Sequence, residues 1–153
     1  MLPLLLVPVL LQAIAMILDE AVCHRRRGLG RWERMGHPLD TLSVAACYGW
    51  LVARSPDAPH ALPAYVVMAT VSCLFITKDE FVHVKVCNAQ ESWLHAVLFV
   101  LHPVVFLAFS ILWLSGRYSA LIRMQLGITL AFAVYQFVYW SIWWKPKHSP
   151  LAT

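Results

Sequence analysis

Apolar residues run along this chain in long stretches broken by short polar ones, without the alternation of a half-buried strand. A helix that crosses a hydrocarbon layer of about 30 Å takes roughly 20 such residues. Five stretches meet or approach that length: Leu2–Cys23, Pro38–Ala53, Leu62–Val82, Trp93–Leu114 and Ala120–Trp144. The second is short and depends on its flanks. Loop chemistry separates them: Arg25–Gly36 is basic and Gly-punctuated, Arg54–His60 holds two prolines, and Ser115–Ser119 contains Gly116. The pattern predicts an all-α integral membrane protein, a single transmembrane domain of about five helices.

Composition sharpens this. Hydrophobic residues make up 60% of the 153 and charged ones only 13%, with a mean hydropathy of +0.65, which excludes an ordinary soluble domain. Ala13-Ile14-Ala15 has the small-x-small look of a signal cleavage site. No Lys or Arg precedes the apolar run, however, so an uncleaved first helix is expected.

Charge then orients the helices. With five spans, one side receives nine of the twelve Lys and Arg residues: Arg25, Arg26, Arg27, Arg31, Arg34, Lys78, Lys85, Lys145 and Lys147. Arg54, Arg117 and Arg123 fall on the other. The positive-inside rule predicts an external N-terminus and a cytoplasmic C-terminus, as in a bacterial inner membrane. The net charge of +4 then reflects topology and contact with anionic membrane lipid, not nucleic-acid binding. Trp140, Trp143 and Trp144 are expected to form an interfacial belt closing the last helix. No C-x-x-C pair occurs, and no structural disulfide is expected.

Seven of the eight acids, all but Asp57, and five of the seven histidines gather near the cytoplasmic ends of the first four helices. Helix one ends in Asp19-Glu20-x-x-x-His24, and helix two is entered through Glu33-x-x-x-His37-x-x-Asp40. Helix three ends in Asp79-Glu80-x-x-His83. Helix four begins Glu91-x-x-x-His95, with His102 two turns deeper. Spacings of 3, 4, 7 and 11 return to nearly one helix face, so each helix offers a carboxylate and an imidazole to a common interior. The halves also repeat: Glu20 and Glu80 are 60 apart, His24 and His83 59, Glu33 and Glu91 58, His37 and His95 58. A pseudo-two-fold four-helix bundle is expected, from repeats over about 3–54 and 62–114, with an extra helix over about 120–144 outside the repeat.

Carboxylate and imidazole together suit iron, zinc or manganese. The expected metal ligands are Glu20, His24, Glu33, His37, Glu80, His83, Glu91 and His95, where repeat and helical phase agree. Asp40 and His102 lie deeper, in a supporting layer or substrate pocket, and Asp79, in phase with His83, stands as a replacement for Glu80. Asp19 is rotated off the Glu20/His24 face and is expected to pair with the arginine loop. Cys23 and Cys87 read as small interfacial residues, His60 and His148 as surface groups, and Tyr135, Gln136 and Tyr139 as packing.

This ligand pattern resembles the ferritin-like di-iron or di-manganese bundles, in which two helices each give a Glu and two each give Glu-x-x-His. In its histidine content it is similar to membrane di-iron hydroxylases and desaturases. It departs in detail: only Glu80-x-x-His83 has the i,i+3 spacing, and the long H-x-x-x-H boxes of the membrane families are absent. The resemblance covers roughly the first 102 residues. It implies two divalent ions, iron first, in an oxidoreductase acting on an apolar lipid-phase substrate at the cytoplasmic side with an electron-donor protein. A metal transporter or sensor, a zinc-dependent membrane hydrolase and a metal-free salt-bridge network are the other readings.

Overall fold

The computed structural model describes residues 2–144, and they fold as five long helices with no strand. The expectations for Lys145, Lys147 and His148 lie outside the described residues. The helices are α1 Leu2–Arg27, α2 Arg31–Ala53, α3 Ala61–Val86, α4 Ala89–Leu114 and α5 Ser119–Trp143. Four of them, α1, α3, α4 and α5, are long and apolar enough to cross a membrane. The remaining helix, α2, carries Arg31, Glu33, Arg34 and Asp40 in its first half and starts seven residues before the apolar stretch that announced it.

Local chemistry sets the helix ends. Gly28, at φ 78°, stops α1, and a Cβ there would run into the Trp144 ring. Glu33 starts α2 by accepting from the Gly30 backbone N–H at 3.0 Å, and Asn88 starts α4 by accepting from the Glu91 N–H at 3.0 Å. Arg54 leaves α2 in an extended conformation, and Pro56 and Pro59 keep the connection non-helical.

Two helices depart from α geometry next to the acids. Over Asp19–His24, α1 widens into a π turn, whereas over Ile76–Asp79 α3 tightens into a 3-10 turn. A second π turn, Tyr139–Trp143, closes α5.

The second helix, α2, packs along α5 and α3, and α1 packs along α4, which also touches α3. Helices α1 and α5 meet through side chains at the polar end and flank a cavity. The fifth helix is thus not an outlier beside a finished four-helix bundle, as the sequence repeat suggested; it is the main neighbour of α2. At the end remote from the acids, Tyr48, Leu51, Tyr65, Phe106, Phe109 and Trp113 form the apolar core. Large apolar side chains such as Leu4, Val67, Val100, Leu107 and Val134 cover the outside. That surface suits lipid and would be an aggregation hazard in water.

Candidate metal centre

Four imidazoles, one each from α1, α2, α3 and α4, form a ring at the polar end. His24 stacks on His37 with centroids 4.8 Å apart, and His83 faces His95 at 4.2 Å. The other two sides, His37–His83 and His24–His95, measure 6.0 and 6.2 Å. Carboxylates surround the ring. Asp19 Oδ2 lies 3.2 Å from both His24 Nε2 and His95 Nε2, Glu33 Oε1 lies 3.4 Å from His83 Nε2, and Asp79 Oδ2 lies 3.8 Å from His37 Nδ1. Glu20 Oε2 lies 3.3 Å from His24 Nδ1.

Several of these close pairs are not hydrogen bonds. His24 Nε2, His37 Nε2, both nitrogens of His83 and His95 Nδ1 are buried without a hydrogen-bond partner. A buried polar atom left so costs stability, and native interiors rarely tolerate five together. A cation with ligand arms of about 2.0–2.2 Å holds neighbouring ligand atoms roughly 3 Å apart. His24 Nε2 at 3.2 Å from Asp19, with no hydrogen bond between them, fits the edge of such a shell. Two groups share no residue: Asp19, His24, Glu91 and His95 from α1 and α4, and Glu33, His37 and His83 from α2 and α3. Within each group, ligand atoms lie within 4.8 Å of one another. A further overlapping group joins His37, Asp40 and Asp79, and another joins His83, Cys87 and His95. Burial pushes the Cys87 thiol up to about 12, helped by nearby Glu91.

Electrostatics point the same way. Arg27 binds Glu33 through two bonds of 2.7 and 3.0 Å and Glu91 through two of 3.0 and 3.2 Å. Lys78 donates to Asp40 at 2.6 Å and to Asp79 at 3.1 Å. Six carboxylates (Asp19, Glu20, Glu33, Asp40, Asp79 and Glu91) therefore meet one guanidinium and one ammonium. With all six ionised and the imidazoles neutral, four negative charges would remain, a balance that two divalent cations would supply. Leaving such charge in a low-dielectric interior is costly.

The sequence-derived ligand set is gathered with one exception. Glu20, His24, Glu33, His37, His83, Glu91 and His95 converge, whereas Glu80 is exposed on α3 and Asp79, 2% exposed, stands in its place. The 3-10 turn ends at Asp79 and directs it inward, where Trp32 Nε1 donates to it at 2.9 Å. Asp19 does not pair with the arginine loop. In a π turn residues five apart align, so Asp19 lies over His24. Asp40 sits beside Lys78, and His102 lines the cavity two turns deeper.

Four residues make bonds that the sequence did not assign to them. Arg27 looked like one of a solvated basic run; its place between two acids two helices apart in the chain had no local signal. Trp140 is fully buried and donates to Glu20 Oε1, so it is not part of an interfacial belt. Gln136 accepts from Thr41 at 2.7 Å and ties α5 to α2. Tyr135 accepts from Arg25 at 3.3 Å.

A cavity of about 310 Å³ extends from the ring into the apolar interior between α1 and α5. Asp19, His24, His37 and His95 lie at one end, and Val9, Val44, Tyr48 and Val105 at the other. That size falls in the range of small-molecule pockets. Comparison with known proteins returns no match: no family model, curated protein or solved structure is similar to this chain.

Proposed function

We propose that this protein is a membrane-embedded di-metal oxidoreductase, with two irons held by the imidazole ring and its carboxylates, acting on a lipid-phase substrate at the cytoplasmic side. The observation that carries this reading is the pair of disjoint ligand groups at the closed end of an apolar cavity. Nitrogen and carboxylate donors without thiolate suit iron. A transporter needs polar groups continuing to both membrane faces, and here the far end is the apolar core.

The ring geometry supports a pseudo-two-fold axis along the membrane normal. Such an axis exchanges His24 with His83 and His37 with His95, and the exchanged sides are 4.8 with 4.2 Å and 6.0 with 6.2 Å. It exchanges Glu33 with Glu91, both of which Arg27 holds. It also exchanges Asp19 with Asp79, 60 residues apart, in place of the Glu20 and Glu80 pairing. The orientation we adopt has the N-terminus outside and the basic loops cytoplasmic, as in a bacterial inner membrane, with all five helices in the bilayer.

When bound, the irons supply the redox change and a place for dioxygen. The chain's own groups do the rest. The imidazoles and Asp19, Asp79, Glu33 and Glu91 hold the ions, and Arg27 holds Glu33 and Glu91 in register. The cavity walls exclude water and align the substrate chain. The balanced reaction converts a substrate C–H and dioxygen, with two protons and two electrons from a one-electron donor protein, into C–OH and water.

The test is metal analysis of the detergent-purified chain, followed by oxygen uptake with a reductant and mass spectrometry of extracted membrane lipids. About two irons per chain, oxygen consumption and a new lipid product are expected. Stoichiometric zinc with no oxygen uptake would replace this reading with a hydrolase, and no metal at all with a salt-bridge network.

A further inference from the structure

Above the ligand ring, the cavity wall holds a second polar cluster, apart from the Thr41–Gln136 and Gln125–Thr129 pairs that also line it. Gln12 of α1, Ser43 of α2, Ser72 of α3 and His102 of α4 meet there, and Gln12 and His102 line the cavity. Their hydrogen bonds form one directed chain. Ser43 Oγ donates to the Asp40 carbonyl at 2.7 Å, so its proton is committed. Ser72 must then donate to Ser43 Oγ, 2.7 Å away, and accept from His102 Nε2 at 3.3 Å. That fixes the His102 tautomer and leaves Nδ1 as an acceptor, which Gln12 Nε2 meets at 3.3 Å. One donor is left over, the second Nε2–H of Gln12. So is one acceptor, Gln12 Oε1, buried and without a partner on a side chain that lines the cavity.

We propose that Gln12, oriented by His102 and Ser72, is a headgroup subsite for a lipid-phase substrate that carries a hydroxyl, a long-chain or isoprenoid alcohol. The inference rests on the reading above that the cavity receives such a substrate. A hydroxyl donates to Oε1, which an ether or ester oxygen cannot do. His95 and His102 are seven residues apart on α4, about 10 Å along the helix. A hydroxyl held at Gln12 therefore sets which distant carbon reaches the ligand ring, and the subsite fixes the position oxidised.

Equilibrium binding of 1-dodecanol, 1-methoxydodecane and dodecane to the detergent-solubilised full chain tests this. One net hydrogen bond corresponds to a preference of about three- to tenfold for the alcohol over the other two probes. Gln12→Leu and His102→Leu should each reduce that preference below about twofold while dodecane binding persists. Ser72→Ala is the mildest change, keeps the fold, and should shift the preference in the same direction. Equal binding of the three probes to the parent, or an undiminished alcohol preference in all three variants, overturns the subsite. Metal content is measured on the same samples. A chain without metal that prefers the alcohol sinks the di-metal reading and supports the subsite; two irons without alcohol preference do the reverse.

Discussion

At the apolar end of the bundle Tyr48 lies 4.7 Å from Phe109, and the polar atoms of Tyr65, Trp113 and Trp50 find backbone partners. Tyr65 donates to the Phe106 carbonyl at 2.8 Å, and Trp113 and Trp50 donate to the carbonyls of Arg54 and Ala61 at 3.0 Å. At the polar end, by contrast, five of the eight ring nitrogens of His24, His37, His83 and His95 are buried without a partner. The first region is complete as it stands, held by packing and by satisfied hydrogen bonds. The second leaves buried imidazole nitrogens unpaired among the described residues, as a cation site would. The difference separates structural polar groups from groups arranged to receive something.

Removing metal should break this contrast most strongly. Chelation leaves four negative charges uncompensated and should lower the thermal midpoint by about 10 °C or more, reversibly on adding metal back. An unchanged midpoint in fluorescence-detected melting would mean that protonated histidines balance the acids. Next in size, Phe109→Ala should cost about 3 kcal/mol through lost packing yet leave two ions bound. Asp19→Ala should do the opposite, leaving one ion. Denaturant titration with metal analysis on both variants checks the pair, and ion loss in Phe109→Ala would show the ends to be coupled.

Arg27→Met should cost about 2 kcal/mol, because Glu33 and Glu91 lose their shared cation. Arg27→Lys should recover only part of it, since an ammonium lacks the two-pronged geometry. The smallest effect belongs to Glu80→Ala, within about 0.5 kcal/mol and with full metal content, as expected of an exposed side chain. Asp79→Ala should lose metal. Equal metal loss in the two variants would restore Glu80 as a ligand.

The sequence by itself determined that this chain is helical and apolar enough for a membrane, and that its acids and histidines collect at one end. Those features follow from run length and from 100° per residue, which are local. It predicted His24, His37, His83 and His95 together because i,i+3 or i,i+4 spacing sets each beside a carboxylate on one helix face and like positions recur 58–60 residues apart. Only the tertiary structure decided which acid of each Asp-Glu pair faces inward. Neighbouring residues differ by a third of a turn, and a π turn in α1 or a 3-10 turn in α3 is enough to change which one wins. Trp140 of the fifth helix reaches Glu20 and buries it, while Glu80 stays exposed. Arg27 became the link between Glu33 and Glu91 for the same reason: its partners are 6 and 64 residues away, and only helix packing brings both within reach of one guanidinium.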